Sequence, residues 1–106
     1  VSSNEIIKSI NTAVHNKSVF WKDHILLKMR QRGIAAAEVL LALENFTIID
    51  EYQDDRPFPS YLLLGYANGK PLHLVLAVNN TASEIHLITV YIPDSSIWTD
   101  GFRRRK

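Results

Sequence analysis

Three groups of residues in this chain have the chemistry to hold a phosphate or move a proton. In "HILLKMRQRG", residues 24–33, His24, Lys28 and Arg32 recur every four residues. On a helix this spacing lines one face with them, away from Ile25 and Met29. A histidine at position 24 suits a proton shuttle beside the two cations. The plain alternative is a solvated charged face. Tyr91, at the end of the last clear strand, has a phenol that can donate to a phosphate or support proton transfer, or simply pack. The third group is the basic ending "GFRRRK", Arg103, Arg104, Arg105 and Lys106 after Phe102. Guanidinium forks match phosphate oxygens. Trp98 and Phe102 are expected to pin this segment to the core and place Arg103 and Arg104 in a site. Arg105 and Lys106, furthest from the anchors, are expected to be a charged finish.

Other chemistries lack their residues. There is no glycine-rich phosphate loop, no HExxH pair and no nucleophile elbow. Cysteine is absent, which rules out disulfides and thiol chemistry, and neither a cofactor nor a metal is expected. The acidic cluster Asp50, Glu51, Asp54 and Asp55 reads as a solvated loop or a contact for a basic partner. His73 and His86 alternate with apolar strand residues and read as satisfied or edge histidines, while His15 closes a helix where a cation is stabilising.

The elements that must position these groups divide the chain in two. "SSNEIIKSINTAVHN" spaces Ile6, Ile7, Ile10 and Val14 for a helix, with Ser2 or Ser3 and Glu5 at its start. "KDHILLKMRQRG" follows, with Ile25, Leu26 and Met29 on a shared face, Asp23 as a cap and Gly33 as the stop. "IAAAEVLLALEN" makes a third helix with Val39, Leu40 and Leu43 inward. The second half reads as strands: "FTIIDEY", then a Pro-broken loop, then two apolar runs joined by Asn68-Gly69, a type I′ hairpin pair. "IHLITVYI" is a further strand. The expected fold is α+β, with two or three N-terminal helices packed on a three- to four-stranded antiparallel sheet.

At 106 residues and 46% hydrophobic content, the chain supports one core and a single domain over residues 1–106. No apolar run approaches a membrane span, and "VSSNEIIKSIN" lacks the basic-then-apolar layout of a signal peptide, so a cytoplasmic protein with no membrane partner is expected. The net charge of +1 hides an asymmetry: without the last four residues, eight basic side chains face eleven acidic ones, a net of −3. A polyanion would therefore be met at one place rather than over the whole surface.

Taken in order, "HILLKMRQRGI", Glu38 in the next helix, "IIDEY" and the ending "YIPDSSIWTDGFRRRK" resemble the bacterial domain of unknown function 4258, from about Trp21 to Lys106. Residues 1–20 lie outside the likeness. That family is generally grouped with the RelE/ParE-like toxins, and its genes commonly neighbour a small YgiT-type zinc-finger antitoxin. The resemblance implies a RelE-like fold and the toxin of a type II toxin-antitoxin pair, a metal-independent endoribonuclease cleaving mRNA on or off the ribosome. It also implies roles for His24 as base or acid, Lys28 and Arg32 as phosphate cations, Tyr91 as donor, and Arg103 and Arg104 as transition-state clamps. Many members carry arginine where this chain has Lys28. Two alternatives share these features: a non-catalytic RNA- or protein-binding regulator, and a ParE-like gyrase poison.

Overall fold

A computed structural model describes residues 2–106. Three helices, α1 (Ser3–His15), α2 (Asp23–Gln31) and α3 (Ala36–Ala42), cover one face of a five-stranded sheet. The strands are β1 (Val19–Phe20), β2 (Phe46–Tyr52), β3 (Ser60–Ala67), β4 (Lys70–Asn79) and β5 (Glu84–Tyr91), in the order β1-β5-β4-β3-β2. From β2 to β5 the sheet is the expected antiparallel meander. It differs from expectation at its edge, where β1 pairs in parallel with β5 through Val19↔Ile85 and Phe20↔His86 and makes the sheet mixed. Two residues carry no periodicity to read. The other difference is the basic ending, which folds into a two-stranded antiparallel hairpin of β6 (Trp98–Thr99) and β7 (Arg104–Arg105).

Local signals set most boundaries. The Ser2 hydroxyl accepts from the Glu5 amide at 3.2 Å and starts α1. In α2 the cap position is Lys22 and not Asp23, which lies in the first turn, and the helix stops at Gly33 with Ile34 N–H bonded back to Met29. Asn68 and Gly69 have φ of 52° and 81°, as the hairpin turn requires. Ile25 and Met29 enter the core, but Leu26 is 45% exposed and Leu40 39% exposed, so the apolar stripes of α2 and α3 are narrower than expected.

Helix α3 has only seven residues and depends on its surroundings. The Glu38 carboxylate accepts from the Ala35 amide at 2.9 Å and pairs with Lys70 at 3.1 Å, which together hold its pKa below the usual range. The other constraint is Gly65 of β3, which lies against α3 so closely that an added Cβ would meet the Ala42 carbonyl oxygen and sit 2.8 Å from the Ala42 Cβ.

Two bulges decide which side chains face away from the helices. Leu72, Leu74, Leu76 and Val78 of β4 point into the helix-covered core, and His73, Val75 and Ala77 point to the other face. In β5 the register with β4 skips Ile88, pairing Val75 with Thr89 and Leu76 with Leu87. The extra residue reverses the alternation beyond it, so Val90 joins the core and Tyr91 lies beside His73 on the other face. In β2 the register skips Ile49, which turns Asp50 and Tyr52 to that same face, opposite Leu62 and Ser60. Among the described residues no helix is long and apolar enough to cross a membrane.

Replacing Gly65 with alanine is expected to force α3 off β3 and to destabilise the protein by about 1–3 kcal/mol. Urea unfolding would measure this, and an unchanged midpoint would show that α3 is free to shift.

Candidate functional site

The centre of the site is a buried imidazole. His73 has no exposed surface and is larger than the other buried polar residues, Ser9 and Ser60. Its Nε2 lies 2.8 Å from the Phe102 carbonyl oxygen. A carbonyl only accepts, so Nε2 carries the proton. In the neutral ring Nδ1 then presents a lone pair, and it accepts from the Tyr91 hydroxyl at 3.1 Å. Burial lowers the pKa of His73 and keeps it neutral, with the Phe102 carbonyl working weakly the other way. The Trp98 indole stands edge-on to the imidazole, ring centres 4.4 Å apart at 86°. The basic ending is thus docked, by Trp98 against the ring and by the backbone of Phe102.

Docking of the hairpin encloses a cavity of about 420 Å³ over Leu62 and Val75. Its working groups are Asp50, Tyr52, Tyr91, Trp98, Arg103 and Arg105, contributed by β2, β5 and the hairpin. Two guanidinium groups face one carboxylate, so the lining is net positive on a chain whose other charges cancel. Arg105 reaches over the Trp98 ring, 5.8 Å from its centre, which fixes a flexible cation by a cation–π contact. Burial raises the pKa of Tyr91, as does the neighbouring Tyr52, while Arg105 opposes them. Tyr52 is raised by burial and then by the Asp50 carboxylate beside it. Both phenols therefore stay protonated at neutral pH. Because the Tyr91 proton is directed at His73, the lone pairs of its oxygen are left for a group in the cavity.

Of the residues expected from sequence, the structure brings Tyr91 and Arg103 together here. Arg104 is exposed on β7 opposite Thr99 and is not in the lining, and Arg105, expected to be a mere finish, takes that place. His24 and Lys28 are exposed on α2, and His24 lines a separate cavity. Arg32 follows the last turn of α2, where Nη1 donates to the Val90 carbonyl at 2.7 Å and lies 3.3 Å from the Thr89 hydroxyl. That strap fastens α2 to β5. Among the described residues no cluster of three His, Asp or Glu is placed to hold a metal ion.

Sequence reasoning missed His73, Asp50 and Tyr52 as members of the site. A signal existed for His73: it sits between Leu72 and Leu74 and so must face away from their core. Asp50 and Tyr52 had none, because strict alternation from Ile48 assigns them to the helix side.

The depressed pKa of His73 has a consequence for stability. The unfolded chain binds a proton near the ordinary histidine value of 6.5, whereas the folded chain does so only at lower pH. In that window the unfolded state holds more protons, so stability is complete above 6.5 and falls as pH drops below it. The thermal midpoint is expected to decline on acidification from pH 7 to 5, and His73→Gln to flatten that decline. An identical slope in the variant would show that His73 does not carry it.

The comparisons with known proteins agree with the helix and strand portion of the sequence likeness. No curated protein and no solved structure matches the chain. The family described as Domain of unknown function (DUF4258) matches residues 21–92, from the approach to α2 to just beyond Tyr91, leaving α1 and the docked hairpin outside. That span covers well over half of the sequence, and the chain belongs to the DUF4258 family.

Proposed function

We propose that this protein cleaves RNA without a metal in the hairpin-covered cavity, as the cytoplasmic toxin of a toxin-antitoxin pair of the RelE/ParE-like kind. The observation that supports this reading is the Tyr91–His73 pair, set beside two arginines in one aromatic cavity. In such a reaction the ribose 2′-oxygen attacks the adjacent phosphorus and the 5′-oxygen of the next nucleotide leaves. Tyr91 accepts the 2′-hydroxyl proton as its own passes to Nδ1 of His73. The imidazolium formed is held by the Phe102 carbonyl. Arg103 and Arg105 stabilise the charge that develops on the phosphoryl oxygens, and Trp98 and Tyr52 offer faces for bases. The departing oxygen takes a proton from water, and His73 returns its proton through Tyr91 to the hydroxide left behind. The products are a 2′,3′-cyclic phosphate and a 5′-hydroxyl. His73 touches no substrate and is a positioning and relay residue.

A cognate antitoxin, of YgiT zinc-finger type if the gene neighbourhood follows the family, would neutralise this site by covering the two arginines with acidic side chains or a blocking helix. Contacts of that kind weaken with salt where they are exposed.

Purified protein is expected to cleave single-stranded RNA to these ends. Tyr91→Phe should lower the rate by about 10²–10⁴-fold, and Arg103→Ala or Arg105→Ala each by about 10²–10³-fold. Arg104→Ala should match wild type. The acid limb of the rate profile should lie below pH 6.5, because only neutral His73 can accept a proton. RNA binding with no cleavage products would replace this reading with a non-catalytic binding protein. DNA damage on expression, with intact mRNA, would replace it with a gyrase poison.

A further inference from the structure

The sheet face that carries Tyr91 continues along β4 to a second hollow. Val75 lines the first cavity and Ala77 the second. They are two residues apart on one face, about 7 Å along the strand. The second cavity, of about 240 Å³, is walled by Phe58, His86 and Ile88 and rimmed by Lys22, His24 and Arg56. Its aromatic side is the Phe58 and His86 end of a stack of rings, with Phe20 behind it outside the lining. His86 stacks on Phe20 at 4.8 Å and 14°, and on Phe58 at 5.9 Å and 21°. The His86 Nε2 is buried without a hydrogen-bond partner among the described residues, and the Glu84 carboxylate stands 3.6 Å away. A buried polar atom left unpaired is uncommon in a folded protein and calls for an explanation.

We infer that this second cavity is a nucleotide subsite for single-stranded RNA, taking the base next to the linkage held at Arg103 and Arg105. The inference rests on the proposed RNA-cleaving reading and gives its substrate a second point of attachment. Three features specify such an occupant. The Phe58 ring, at the cavity end of the stack, suits a base of any identity, because every base has a π-face. Lys22, His24 and Arg56 offer donors to the phosphate at the rim, with Arg56 already held over the loop by the carbonyls of Gln53 and Asp55. The hollow also adjoins the first cavity along β4, with their lining residues Val75 and Ala77 neighbours on one face. An unpaired strand can lay base and backbone along this face, while a duplex keeps its bases stacked on each other. His24, on this reading, binds the substrate and takes no part in the proton transfer.

The test is equilibrium binding of a fluorescein-labelled hexanucleotide, measured by anisotropy. Its sugars are all 2′-deoxy so that no cleavage intervenes, and cleavage of the matching ribo-oligonucleotide is followed in parallel. Phe58→Ala is expected to weaken binding by about 5- to 100-fold. Lys22→Ala should weaken it less and make it less sensitive to salt. In cleavage both should raise KM and leave kcat unchanged, and His24→Ala should behave in the same way. Lys22 makes no side-chain bond at the start of α2, so its replacement leaves the fold intact and guards against an unfolded Phe58 variant. Binding and KM equal to wild type in both variants, with wild-type cleavage present, would overturn the subsite and leave the proposed function standing. Phe58-dependent binding without cleavage by any form would sustain the subsite and remove the nuclease. Duplex bound as tightly as single strand, or an acidic peptide displaced from the protein by Phe58→Ala while the oligonucleotide is unaffected, would overturn the subsite.

Discussion

Burying an imidazole in a sheet built largely of leucine is costly unless both ring nitrogens find partners, and His73 finds them in two separate parts of the chain. One nitrogen takes the Tyr91 hydroxyl from β5, and the other donates to the backbone of Phe102 in the hairpin. Losing either partner leaves a buried polar atom unpaired, so the two attachments support each other. This arrangement explains why the mostly exposed basic end of the chain adopts a fixed shape at all. A two-stranded hairpin of this size has little stability in water. It is held here by the Trp98 ring against His73 and by one carbonyl, and the cavity exists only while that contact lasts.

Much of the fold was legible because its signals are local. Ser2, Gly33 and the Asn68-Gly69 pair each act within one turn of backbone, and the leucine alternation in β4 declares its buried side without reference to any other strand. The exposed Leu26 and Leu40 show the limit of that approach: helical spacing tells which residues could share a face, while the width of the partner surface decides how many do. The short parallel strand β1 lay beyond reach for a related reason, since two residues have no period.

The site was half legible. Tyr91, Trp98 and the arginines announce themselves by type, and His73 by its place between two core leucines. What could not be read was which arginine turns inward. Hairpin geometry settles that, placing Arg103 and Arg105 in the lining and Arg104 opposite Thr99. The same uncertainty applied to α2, whose evenly spaced His24, Lys28 and Arg32 proved to be divided among three fates: a rim of the second hollow, an exposed face, and a strap to β5. Even spacing along a helix fixes a direction, and the neighbouring strand determines what is met there.

The extra residue at Ile88 links the length of the gene to the chemistry of the protein. A strand has only two sides, so the count of residues between Leu87 and Tyr91 is a parity, and parity has no intermediate values. Loss of one codon there would restore an unbroken ladder and turn the Tyr91 phenol toward the leucines under α2, with Val90 sent outward in its place. Substitutions can tune this site gradually. Insertions and deletions in this stretch of β5 can only switch it, so drift in length is closed to this strand while drift in side chain remains open.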